Sequence, residues 1–125
     1  MKVNLSEECG NSPKNTFLTK FAIGFATGDV PFVLSSVVED IRWTKVGQRV
    51  IQGKIELAEA LAEMSGNPLE ELTIDHVVTH GKAGAVNGRM RSANGVTYAF
   101  CHMYEFGSAK GASIRAITSY VLETD

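Results

Sequence analysis

The chain has 125 residues, a length that suits one domain and leaves no room for two. Apolar residues at 44% and charged residues at 21% are those of an ordinary globular protein. A net charge of −2, without a run of like charges or a Lys/Arg cluster, argues against nucleic acid or an anionic membrane as partner, and no apolar stretch approaches the ~20 residues of a membrane span.

Residues 1–11 are polar and include a glycine, so a flexible tail is expected there, ahead of a single domain over residues 12–125. Met1 to Glu8 lacks the apolar centre of a signal peptide. Cys9 in the tail and Cys101 far downstream are too few for a disulfide framework and read as free thiols in a reducing cytoplasm. Ser12-Pro13 opens a helix as N-cap and first helical residue. Phe17, Leu18, Phe21, Ala22 and Phe25 then form one broad apolar stripe, and Gly28 ends the helix. Asp29 caps a second, shorter helix with Phe32, Val33 and Leu34 for burial.

Val37 to Lys45 reads as a strand, with Val37, Ile41 and Trp43 on one parity and Val38, Asp40, Arg42 and Thr44 on the other. Which parity faces the interior stays open. A turn at residues 46–49 leads to a short return strand, Val50 to Gln52. Lys54 to Met64 is a helix with an expected inner stripe of Ile55, Ala58, Leu61 and Ala62, stopped by Ser65-Gly66-Asn67-Pro68. Four strands follow. Glu71 to His80 alternates Leu72, Ile74, His76, Val78 and His80 against Thr73, Asp75, Val77 and Thr79. Ala85 to Arg91 and the strand after it are joined by an Asn94-Gly95 hairpin signal. A polar loop over residues 107–111 precedes the last strand, Ala112 to Glu123. Helices first and an antiparallel meander after them define an α+β layout.

Val96 to Phe106 is the strongest strand in the chain: aromatic, β-branched and free of Gly and Pro. Period 2 puts Tyr98, Phe100, His102, Tyr104 and Phe106 on one face. An aromatic wall around one titratable group fits a small-molecule pocket. The same pattern also fits a core strand whose histidine is hydrogen-bonded. Cys101 and His102, being adjacent, point to opposite faces and do not form a nucleophile–base pair. His76 and His80 lie ~13 Å apart along a strand, too far to share one metal ion.

Several segments in order carry a resemblance. Phe25-Ala26-Thr27-Gly28-Asp29 ends the first helix. Ile41-Arg42-Trp43-Thr44 is followed by Val46-Gly47. Ile51-Gln52-Gly53-Lys54 enters the third helix. Phe100 to Phe106 precedes Ile114-Arg115-Ala116-Ile117-Thr118-Ser119-Tyr120. On these the chain resembles the nuclear transport factor 2-like superfamily, in its SnoaL-like branch, over residues ~13–123, the span of a single domain. The resemblance implies a cone: a curved, mostly antiparallel sheet wrapped around three helices, with a pocket inside and often a homodimer through the outer sheet face. It implies no single reaction.

The enzymes of that superfamily match poorly residue by residue. In ketosteroid isomerase a tyrosine and two aspartates do the work; those positions fall here on Phe21, on or near Thr44, and on His102, so two of three roles are lost. The Asp–Arg–Asp set of limonene epoxide hydrolase finds only scattered candidates, Asp40, Asp75, Arg89 and Arg91. The expectation is therefore a pocket protein that binds an apolar or aromatic metabolite, without metal or other cofactor. Phe21, Trp43, Tyr98, Phe100, Tyr104 and Ser119 would form the pocket and His102 its polar group. The alternative is an isomerase-, cyclase- or hydratase-like enzyme using His102 as acid and base, with Tyr104 or Ser119 as orienter. Asp40 turned inward would supply the missing carboxylate and favour that alternative.

Overall fold

The computed structural model of the chain describes residues 1–108 and 113–124. The expected end of the 107–111 loop and the start of the last strand at Ala112 lie outside the described residues. In chain order the elements are β1 (Lys2–Leu5), a 3-10 turn (Glu7–Cys9), α1 (Pro13–Thr27), α2 (Val30–Ser35), β2 (Val37–Lys45), β3 (Arg49–Gln52), α3 (Gly53–Met64), β4 (Leu69–His80), β5 (Ala83–Ser92), β6 (Thr97–Phe106) and β7 (Ile114–Thr124). All seven strands join one sheet in the order β1-β4-β5-β6-β7-β2-β3. The β4–β7 run is an antiparallel meander; β2 runs parallel to β7 and β1 parallel to β4. The α+β cone expected from the resemblance is the architecture observed.

The helix ends follow the local chemistry. The Ser12 hydroxyl accepts from the Asn15 N–H, and Gly28 takes the left-handed conformation at the end of α1, where any Cβ would be strained. The Asp29 carboxylate accepts from the Phe32 N–H to open α2. The stripe of α1 packs into the sheet: Leu18 and Phe21 are fully buried, and Phe21 meets Tyr104 edge-on with ring centroids 5.8 Å apart.

Three expectations are corrected. The N-terminal segment is not a loose tail: Lys2–Leu5 pairs in register with Glu71–Ile74 of β4. The Asn4 side chain donates to the Glu71 carboxylate at 2.7 Å. Beyond it, the Ser6 N–H donates to the Ile74 carbonyl, and Asn15 ties Cys9 to β4 by donating to the carbonyls of Cys9 and Val77 at 2.9 and 3.0 Å. A four-residue parallel strand has too little pattern to stand out in sequence, because its partner lies some seventy residues away.

The strict alternation expected for β4 also fails. Leu72 and Ile74 are buried, but the next inward residue is Val77, while Val78 is 57% exposed. The register skips Asp75 between Ile74 and His76, a bulge that flips the parity and bends the strand. Gly88 sits opposite this bend, where an added Cβ would lie 1.9 Å from the Thr73 carbonyl oxygen. The bulge and the close approach at Gly88 curl this part of the sheet around the helices.

In α3 the buried residues are Leu57, Ala60 and Leu61, and Ile55 is 79% exposed. Apolar residues occur on nearly every side of this helix, so their spacing does not fix which side turns inward.

Candidate functional site

The open end of the cone leads into a cavity of about 330 Å³. Ala22, Phe25 and Ala26 of α1 form one side. The sheet forms the other: Trp43 and Lys45 from β2, Met90 from β5, Tyr98, Phe100 and His102 from β6, Ser119 and Val121 from β7. The mouth is built by Val46 and Gln48 of the β2–β3 turn, by Glu63 and Met64 at the end of α3, and by residues 67–69 after it. The lining is mostly apolar, with few polar groups.

Strand parity delivers the site. In β2, Ile41 and Trp43 are buried and Asp40 is exposed, so the carboxylate that would have favoured the enzyme reading points away. In β6, Phe100, His102, Tyr104 and Phe106 are all buried on one face, as the alternation predicts. The registers then align three residues across adjacent strands: Lys45 lies opposite Ser119, and Ser119 opposite His102.

Ser119 is the hub. Its Oγ lies 2.8 Å from Trp43 Nε1 and 2.7 Å from His102 Nδ1. An indole N–H only donates, so Ser119 accepts from Trp43 and keeps its own hydrogen for His102. A serine oxygen has lone pairs enough to accept from both rings, but its own hydrogen would then find no acceptor among the described residues; the tautomer that satisfies every group has Nδ1 accepting and the proton on Nε2. No buried side-chain polar atom among the described residues lacks a partner. Nε2 has no partner among the described residues and His102 lines the cavity, so that N–H is open to the cavity. Burial among Phe25, Phe100 and Tyr104 lowers the pKa of His102 to about 4 by desolvating the charged form. At neutral pH it is an uncharged imidazole offering one N–H.

Of the residues expected to form the pocket, Trp43, Tyr98, Phe100, His102 and Ser119 are brought together on the cavity wall. Phe21 and Tyr104 are not. Phe21 is completely buried and Tyr104 packs against it behind the wall, where burial raises the tyrosine pKa above its usual range. Ser119, not Tyr104, holds the imidazole. Arg89 and Arg91 pair with Asp75 at 3.5 Å and with Glu70 and Glu71 on the far side of the sheet, so no Asp–Arg–Asp set gathers in the cavity. His76 bonds Asn87 at 2.9 Å. Lys45 is a wall residue that the sequence reading does not single out; its parity puts it on the same face as Trp43, and the structure turns that face inward.

The architecture is a cone of curved sheet around helices that holds an aromatic cavity with one polar row. The chain belongs to the SnoaL-like domain family, whose model matches residues 18–115. Among solved structures it is similar to an NTF2-like protein of unknown function from Cytophaga hutchinsonii, at 28% identity over 86% of this chain and 97% of that one, with a TM-score of 0.65. It is also similar to an NTF2-like protein of unknown function from Burkholderia pseudomallei, at 20% identity over 88% and 91% of the two chains, with a TM-score of 0.70. The epoxide hydrolase/cyclase-like enzyme SalBIII, of pyran ring formation in the polyether salinomycin, matches at 15% identity over 87% and 90%, with a TM-score of 0.69. The last two likenesses are of fold alone. No curated protein sequence matches the chain. No helix among the described residues is long and apolar enough to cross a membrane.

Proposed function

We propose that the protein is a non-catalytic small-molecule binder that takes an apolar or aromatic metabolite into the cone. One observation carries this reading: His102 is held neutral, with its basic nitrogen occupied by Ser119 and only an N–H offered to the cavity. Such a group orients a carbonyl or hydroxyl oxygen. It is a poor general base, because its lone pair is engaged, and a poor general acid at neutral pH, because its conjugate acid is scarcely populated. The only carboxylate on the wall among the described residues is Glu63, at the mouth and paired with Arg49. The alternative, acid–base catalysis through His102, draws on the likeness to SalBIII.

Native mass spectrometry of gently purified protein, repeated after denaturation, tests the reading. A bound small molecule recovered unchanged on denaturation, and bound much more weakly by His102→Ala, supports the binder. Conversion of that molecule by the wild type, lost in a His102→Ala variant that still binds it, overturns the reading in favour of the enzyme.

The same proposal includes a homodimer through the outer sheet face. Met103, Tyr120 and Leu122 point outward from β6 and β7 and are 43%, 49% and 72% exposed, which is costly to leave in water as a contiguous patch. Two free thiols, Cys9 and Cys101, support a reducing, cytoplasmic setting.

A further inference from the structure

Lys45 is the cation of the cavity wall, and it is poorly matched. Arg49, its partner across the β2–β3 pairing, is bound to Glu63 at 3.1 Å. Among the described residues no carboxylate pairs with Lys45. Its Nζ instead rests over the Trp43 ring, 5.1 Å from the centroid. Partial burial, then the nearby charge of Arg49, lowers its pKa, and Glu63 opposes this only in part. The ammonium is therefore partly stripped of water and braced on an aromatic face at the entrance of an apolar cavity, with Glu63 near it but paired to Arg49.

We infer that the ligand is an amphipathic monoanionic acid: a flat apolar body against Trp43 and Phe25, a carboxylate or enolate oxygen on Lys45 Nζ, and a neutral oxygen acceptor at its far end on His102 Nε2. This rests on the binding function proposed above. Lys45 and His102 stand two strands apart with Ser119 between them, so their backbones lie roughly 10 Å apart at ~4.8 Å per strand, a separation on the scale of a substituted two-ring system. A cavity of about 330 Å³ holds a body of that size. A phosphate would bring two charges to a wall on which Lys45 is the one cation among the described residues, so the single charge of a carboxylate is the better match. The buried end is neutral, and so requires a neutral acceptor rather than a second acid.

The chain contains a single tryptophan, so one indole N–H cross-peak in an amide correlation spectrum reports directly on the cavity. The full-length protein is titrated with 6-hydroxy-2-naphthoate and, separately, with its neutral primary amide. In the wild type the acid is expected to shift the Trp43 indole peak at about tenfold lower concentration than the amide, the size of one charge-assisted hydrogen bond. Lys45→Met, which keeps most of the stem, is expected to bring the two ligands within about twofold, and Lys45→Arg to restore the preference. The rest of the spectrum checks that each variant is folded. Equal binding of acid and amide by the wild type, or an undiminished preference in Lys45→Met, overturns the inference and leaves the binding function standing. If neither ligand moves the peak at millimolar concentration, the binding function falls and the inference with it.

Discussion

The Trp43 indole donates to the Ser119 hydroxyl across 2.8 Å, a buried hydrogen bond made diagonally between β2 and β7, two residues off the register in which Trp43 faces Ile117. The same hydroxyl serves His102, so one side chain satisfies two buried polar groups. Ser119→Ala strands both. The expected cost is about 1–3 kcal/mol, read as a lower urea midpoint, together with an upfield move of the Trp43 indole proton. An unchanged midpoint would mean that the network contributes nothing to the fold.

His102 makes stability depend on pH in a definite direction. Burial takes its pKa from the ordinary 6.5 to about 4, so between those values the unfolded chain binds a proton that the folded chain does not. The contribution is therefore complete above about pH 6.5 and is lost as the pH falls toward about 4, by about 3 kcal/mol in all. Urea unfolding of the wild type and of His102→Gln between pH 7.5 and 4 isolates it. The gap between the two proteins should narrow on acidification; a constant gap would show that the imidazole is not kept neutral.

Gly88 is a steric requirement of the bend in β4. The group that an added methyl meets is the Thr73 backbone carbonyl, which has no rotamer to escape into. Gly88→Ala is expected to lower stability by about 2 kcal/mol or more, seen as a fall in melting temperature. Gly95 makes a useful contrast. An added methyl there meets nothing within 4 Å, and its positive φ means that replacement strains only a hairpin turn.

If two copies pair through the outer sheet face, a buried charge there should separate them. Leu122→Glu is expected to convert a dimer to a monomer in size-exclusion chromatography with light scattering, leaving the circular dichroism spectrum intact. A dimer that survives the change locates its interface elsewhere.

Much of the cavity was legible because β6 is regular: period 2 put Phe100 and His102 on the inner face, and they are there. The same rule failed in β4, where the extra residue Asp75 shifts the count and turns His76 outward. No property of Asp75 itself announces the bulge; the crowded backbone at Gly88 does, and that becomes visible only in three dimensions. The phase of α3 was hidden by its own composition, since Ile55, Leu57, Ala58, Ala60, Leu61 and Ala62 allow more than one apolar stripe. Sequence parity offers Ser119 as an orienter, but its second role, as acceptor for Trp43, depends on a parallel pairing that local pattern does not encode.

The N-terminal segment has a role beyond lengthening the sheet. β4 is twelve residues long and would otherwise present an unsatisfied backbone to solvent. Lys2–Leu5 covers one part of it, and the Ser6 backbone, the Ser6 hydroxyl and the Asn15 amide take up the Ile74, Asp75 and Val77 carbonyls in turn. At the opposite rim the sheet stops at β3, only four residues long. Short or plugged margins deny a neighbouring chain a template on which to add a strand. Clipping the first eleven residues would therefore do more than shorten the protein: it would bare the β4 border to strand addition by a second chain.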